Sequence, residues 1–501
     1  MPNVKLISSS SKQNSQIAIV HLGLGAFHRA HQAVYLERYR QRSGDDTWGV
    51  CSANLRSSVG LVDCLSAAGH RYHVAEYADS ESLTLREIGV IEETLFSGRD
   101  SSEGSSGDSA GNWGRDREAL LARLASADTR IVTLTVTEKG YFLNPASGEL
   151  KVDDPMIIGD IASPQQPRTA PGLLVEALAR RCEAGIAPFT VLSCDNMPDN
   201  GKRTRQAVVQ LAEQRDADLA SWIANEVAFP CSMVDRIVPA MTDADFERLA
   251  VLGVNDPNAV VCEAFTQWVV EDHFPTGRPS WEAEGVEMVA DVAPFETMKL
   301  RMLNGSHSLL AYLGALAGIE TVYDGINHVE LRALLRRYML EEAAPTLVMP
   351  EGIDLDAYAD SLLARFANDS LRHRLQQIAM DGSQKLPQRW LSGALERSAN
   401  GQSSPCVALG MAAWIRYTVG QDLHGNSYPV DDPLAKRFAE LHQKHGSDPS
   451  ALVAAYLAMD DVMPNALAQD DAFAQAVLTA YLTLTQNGLE GALAALERNY
   501  H

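Results

Sequence analysis

The stretch FETMKLRMLNGSHSLLAYLG, residues 295–314, sets Glu296, Lys299, Asn304 and His307 among apolar residues at helical spacing. At ~100° per residue they stand at roughly 60°, 0°, 140° and 80° around a helix, within less than half its circumference. They can face one pocket, although Leu300 and Leu303 share the arc, and the spacing equally suits a half-buried helix with its polar groups bonded to neighbours. Oxidising a secondary alcohol needs a base for the hydroxyl proton, donors for the developing carbonyl oxygen and a hydride acceptor. A lysine is a base near neutrality only where burial or nearby charge lowers its pKa, and Lys299 opens a largely apolar helix. Asn304, and Asn196 in SCDNMPDNG (193–201), offer uncharged amide donors. His307 could orient the hydroxyl, and Glu296 could carry protons between Lys299 and solvent.

A hydride acceptor needs its own cradle. In IAIVHLGLGAFHRAH, residues 17–31, a buried strand runs into Gly23 and Gly25 and then into a helical pattern reaching Arg40. Strand, glycine turn and helix form the context in which a pyrophosphate meets the free N–H groups of a helix N-terminus, with Gly23, Gly25, Ala26 and Phe27 as the cofactor-binding candidates. His28 stands where the usual fingerprint has a third glycine, so the helix start must be spaced differently. The next strand ends in CSANLRS, with Ser52, Asn54 and Arg56 but no acidic residue for an adenosine ribose, which leaves NAD against NADP open.

Strands expected over 17–22, 48–53, 130–136 and 189–193 alternate with helical patterns, the rhythm of a parallel α/β sheet. From about Met298 helical patterns dominate. The expected fold is α/β: a Rossmann-like dinucleotide-binding domain over 1–292, then a mostly α-helical substrate-binding and catalytic domain over 293–501. RDSSEGSSGDSAGNWGR, 99–115, reads as a mobile surface loop. With 46% hydrophobic residues and 501 in all, the chain can bury large cores. A net charge of −23 repels nucleic acid and anionic membranes as partners. The seven scattered cysteines contain no Cys-x-x-Cys pair, which suits a reducing cytoplasm and speaks against a thiolate zinc site. His442 and His445 have metal-pair spacing but read as a solvated helix end, so no metal is expected.

HLGLGAFHRAHQA, TVTEKGYF (135–142), SCDNMPDNG, VDRIVPA (234–240), KLRMLNGSHS (299–308) and QIAMDGSQKLPQR (377–389) together resemble the polyol-specific long-chain dehydrogenases, from about Ile17 to at least residue 430. The Lys-x4-Asn-x2-His spacing is that family's catalytic signature. The resemblance implies a metal-independent, nicotinamide-dependent enzyme with Lys299 as general base, Asn196 and Asn304 as oxyanion donors and His307 as orienting partner. It also sets Glu138 and Lys139 near the cofactor and makes Asp235 an active-site candidate, although Lys139 and Asp235 fit structural ion pairs as well. The stretch 370–390 offers Arg372, Arg374, Lys385 and Arg389 for a carboxylate and resembles the branch interconverting D-mannonate and D-fructuronate. Arg374 and Lys385 are therefore the substrate-binding candidates. A neutral polyol is the runner-up substrate, and the chain is expected to work as a monomer or homodimer. A cofactor-binding sensor without catalysis is disfavoured, because all four reacting groups are present.

Overall fold

A computed structural model describes residues 3–10, 15–99, 114–144, 147–370 and 372–500. The loop expected over 99–115 falls, for 100–113, outside the described residues. The chain divides into two compact units, Met1–Ala293 and Pro294–His501.

All strands named here belong to the first unit: β1 (Asn3–Ile7), β2 (Ile17–Leu22), β3 (Gly49–Asn54), β4 (Tyr72–Asp79), β5 (Ser82–Ile88), β6 (Ile91–Phe96), β7 (Ile131–Leu134), β8 (Thr190–Ser193), β9 (Ser232–Asp235), β10 (Val260–Glu263), β11 (Gln267–Glu271) and β12 (Glu287–Val289). Five form a wholly parallel sheet in the order β6-β3-β2-β7-β8. Side-chain alternation explains its two-sided burial. Val20, Leu22, Cys51, Ala53, Val132, Leu134 and Val191 join one core with Leu120, Leu124, Leu174 and Leu178. Val50, Ile131 and Leu192 join another with Val34, Tyr35 and Leu36. The chain moves outward from β2 through β3 to β6, then returns to the other side of β2 for β7. That reversal makes the carboxyl ends of β2 and β7 the topological switch point, where open α/β sheets bind ligands.

Two smaller sheets complete the unit, β1-β5-β4-β10 and β12-β11-β9. They are bolted on by a buried charge network whose members are scattered through the sequence. The Glu76 carboxylate takes Arg236, Arg86 and Arg38 at 2.8, 3.2 and 3.3 Å, and Arg236 also donates to the carbonyls of Ala30 and Glu263 at 2.5 and 2.9 Å. Three arginines around one carboxylate hold its pKa below the usual value despite burial.

The second unit is helical, and three of its segments are wound as π-helix: Lys299–Asn304, Tyr338–Ala343 and Pro387–Leu391. In each, the residue after the segment bonds back five positions: Gly305 to Leu300, Ala344 to Met339 and Ser392 to Pro387. Among the described residues no helix is long and apolar enough to cross a membrane.

Candidate functional site

In the first unit the site is a turn built on backbone rules. Gly23 has φ +111°, and a Cβ there would lie 2.2 Å from the Thr135 carbonyl oxygen, so only glycine lets the β2 and β7 ends come this close. Its N–H continues the ladder to the Ala53 carbonyl at 2.7 Å. Gly25 differs. Its φ of −106° suits any residue, and an added Cβ would meet nothing nearer than the Gly23 carbonyl at 3.8 Å. Protein packing does not require glycine at 25; close approach of a ligand to the backbone would.

Beneath the turn lies a pair of histidines. The buried rings of His21 and His28 stack at 3.4 Å, tilted by 8°. His21 bridges Thr133 Oγ1 at 2.8 Å, the Gly23 carbonyl at 3.0 Å and Thr135 Oγ1 at 2.9 Å. Burial pushes the His21 pKa down to about 3, and burial with the neighbouring His21 holds His28 well below its usual value. Position 28 thus carries a neutral ring packed on the strand, where the fingerprint glycine would give close packing by having none. The expected helix to Arg40 is broken: Ala26–Ala30 and Gln32–Ser43 are separate, because His31 leaves helical geometry at φ −124°, ψ −85° and its Nε2 meets the Gln267 carbonyl at 2.9 Å.

The neighbouring turns are stitched by Asp195. Its carboxylate accepts the Val136 and Thr137 amides at 3.0 and 2.8 Å and the Tyr141 hydroxyl at 2.6 Å. This holds the Val136 and Thr137 amides off the ladder, so pairing to β2 runs out at Thr135, whose N–H still meets the Leu22 carbonyl at 2.9 Å, before the expected Val136. Burial raises the Asp195 pKa. Glu138 and Lys139 are exposed on the following 3-10 turn, Glu138 at 3.8 Å from Arg203. Asn196 is exposed just past β8, while Asn200 of the same motif is spent on the Asp195 and Ser232 carbonyls at 3.1 and 2.7 Å. Asp235 closes β9, 6% exposed. Beyond β3, Arg56 is exposed and no acidic side chain follows the strand before it.

In the second unit the site is a helix with a defect. Lys299 is 7% exposed, while Glu296, Asn304 and His307 are half-buried. The ideal-helix wheel is corrected here, because a π-turn takes up one extra residue. Relative to Lys299, Asn304 moves from ~140° to ~40° and His307 from ~80° to about −20°. The three groups align more closely than regular winding allows.

Around His307 gathers a basic cluster. Burial lowers its pKa, followed by His373, Arg389, Arg365 and Lys299. Its ring stacks on Phe366 at 4.4 Å, and its Nε2 is sheltered without a hydrogen-bond partner among the described residues. Lys385 belongs to the cluster: burial and then Arg389 lower its pKa, and its Nζ donates to the Met380 carbonyl at 2.6 Å. Arg374 stands apart, exposed and 3.4 Å from Glu320. Arg365 was missed in sequence because it sits in no motif, and His373 because the stretch around it stands out for its arginines and lysine. The His442 expectation is corrected: half-buried, it meets Thr418 Oγ1 and Tyr456 Oη at 2.9 and 3.1 Å, and burial lowers its pKa to about 4.

A parallel sheet with a glycine turn at its switch point is a Rossmann-type domain, and here it is followed in the chain by a helical unit carrying a buried lysine. Residues 17–283 match the mannitol dehydrogenase Rossmann domain and residues 291–485 the mannitol dehydrogenase C-terminal domain. The chain belongs to the mannitol dehydrogenase family and is an oxidoreductase acting on CH–OH groups. It is 47% identical over 482 residues to D-mannonate oxidoreductase of Escherichia coli K12, covering 95% of each chain. It is 46% identical over 484 residues to the uncharacterized oxidoreductase YeiQ of the same organism, covering 96% of this chain and 95% of YeiQ. Among solved structures, the Pseudomonas fluorescens mannitol 2-dehydrogenase ternary complex with NAD and D-mannitol is similar with a TM-score of 0.82 and 36% identity, over 99% of this chain and 97% of that one.

Proposed function

We propose that the protein interconverts D-mannonate and D-fructuronate with NAD(H). The open space at Gly25, where packing alone would tolerate a side chain, is what a bound dinucleotide requires. When bound, the nicotinamide accepts or returns the hydride. Gly23 and Gly25 with the amides of Ala26 and Phe27 hold the pyrophosphate, flanked by Glu138 and Lys139. Lys299 removes the hydroxyl proton, Asn196 and Asn304 donate to the oxygen as it becomes a carbonyl, and His307 Nε2 orients it. Glu296 passes the proton between Lys299 and solvent. Asp235 and Lys385 contact the substrate, as would Arg374 on exchanging Glu320 for a substrate carboxylate.

The observation that carries the substrate assignment is the cluster of Lys299, Arg365, His373 and Arg389 around His307, joined through His373 and Arg389 by Lys385, whose charge Asp381, Asp431 and Asp432 offset only in part, in a protein of net charge −23. Like charges held out of water repel, and an anion among them relieves that cost. A carboxylate suits a guanidinium fork. A neutral polyol is the second reading, favoured by the D-mannitol in the similar Pseudomonas fluorescens enzyme. Because lysine and amide groups cover proton transfer and charge stabilisation, the activity needs no metal and should survive chelation. The test is NADH formation from D-mannonate and NAD, with D-mannitol and NADP as comparisons. D-mannonate with NAD should be oxidised fastest; preference for D-mannitol would replace the assignment with the second reading.

A further inference from the structure

The Lys299–Asn304 π-turn is fastened at three points by the two other π-helical segments. The Arg301 carbonyl, which Gly305 would take in an α-helix, accepts the Tyr338 hydroxyl at 2.6 Å, while Gly305 bonds back to Leu300. Arg389 donates to the Asn304 carbonyl at 3.3 Å and Ser308 Oγ at 2.8 Å. The Trp390 indole N–H donates to the Gly305 carbonyl at 3.0 Å. Tyr338 reaches its acceptor only because residue 305 has no side chain, since a Cβ there would lie 2.1 Å from the hydroxyl oxygen. Tyr338 and Trp390 are 2% and 1% exposed, so these donors meet no competing water.

We infer that Tyr338 is a positioning residue for the reaction, with Trp390 as its second clasp: together they hold the extra residue of the π-turn in place and so keep Lys299 in line with Asn304 and His307. This rests on the proposed roles of those three residues. A π-turn has poorer stacking of its bonds than an α-helix and persists where outside groups satisfy the carbonyl it frees. Without the Tyr338 hydroxyl, the buried Arg301 carbonyl loses its partner and the segment gains by closing the ordinary bond to Gly305. That relaxation would turn Asn304 by ~100° relative to Lys299. Neither Tyr338 nor Trp390 is assigned to the substrate or the cofactor, so the effect falls on the chemical step.

The experiment compares wild type, Tyr338→Phe and Lys299→Ala in the same assay. For Tyr338→Phe we expect kcat to fall at least about tenfold and KM for D-mannonate to change less than about threefold. The primary deuterium isotope effect on kcat, measured with substrate deuterated at the reacting carbon, should rise as hydride transfer becomes limiting. NADH affinity and a cooperative unfolding transition should be kept. A merely structural tyrosine would lower the unfolding midpoint without moving the isotope effect. If Lys299→Ala is inactive while Tyr338→Phe keeps kcat within about twofold and its isotope effect unchanged, the inference is overturned and the site reading survives. If Lys299→Ala itself remains active, the site reading fails and takes the inference with it. Should Tyr338→Phe lose cooperative unfolding, Trp390→Phe is judged by the same criteria.

Discussion

The glycine turn of the first unit and the π-turn of the second solve the same problem by different means. At Gly23 the chain is held by its own backbone: a ladder bond to Ala53, a positive φ and a contact that excludes any Cβ. Around Lys299 the chain is held by side chains distant in sequence, Tyr338, Arg389 and Trp390, which satisfy carbonyls in and next to an irregular helix. The first arrangement presents amides to a ligand and needs a fixed, open backbone. The second aligns three side chains and needs a change of helical phase that backbone preference alone would erase. Strain of either kind survives only where the surroundings outweigh it.

The contrast fails most visibly at Lys299. Replacing it with alanine should lower turnover by about 10²–10⁴-fold, the range for a lost general base, with NADH binding unchanged in a fluorescence titration. Equal loss of NADH binding would mean that the lysine serves the fold.

Next come the two glycines, which should fail in opposite ways. Gly25→Ala should weaken NADH binding about tenfold and leave urea unfolding unchanged, because its Cβ would meet no protein atom nearer than the Gly23 carbonyl at 3.8 Å. Gly23→Ala should cost more than about 2 kcal/mol of stability from positive-φ strain and the Thr135 clash, read from the same denaturation curves. Identical behaviour of the two variants would remove the case for a ligand at Gly25.

The stacked histidines give a pH signature. His21 and His28 have folded pKa values below the unfolded 6.5, so the unfolded chain binds more protons between the two values. Their contribution is present in full above pH 6.5 and is lost as pH falls toward about 3. Stability measured from pH 7 to 4 should drop, and His28→Phe, which keeps a ring but cannot titrate, should flatten that slope. The smallest effect is expected at His442, where alanine removes contacts to Thr418 and Tyr456 and should cost about 1 kcal/mol with activity intact.

Legibility in the sequence follows the same division. The strands carrying the switch point were readable because short β-branched apolar runs and a glycine turn obey local rules. Gly23 and Gly25 stood out as glycines, but their separate duties needed the third dimension. The winding of Lys299–Asn304 was not readable: its residues favour an ordinary helix, and what changes their phase is Tyr338, dozens of positions away. His28 looked like a defect in a glycine pattern, because only the fold brings it onto His21. Asp195 and Asn200, inside a motif read for Asn196, proved to fasten loops. Arg365 meets His307 only through the fold, and His373, although inside 370–390, has no spacing that sets it beside His307.

NADH oxidation by the purified protein with D-fructuronate and D-fructose, compared as kcat/KM, decides the substrate most directly. D-fructuronate should be preferred by at least about two orders of magnitude, since a site holding several half-buried cations gains from a carboxylate what a neutral sugar cannot supply. Equal or better use of D-fructose would contradict it and make the basic cluster around His307 a device for proton transfer or hydroxyl recognition.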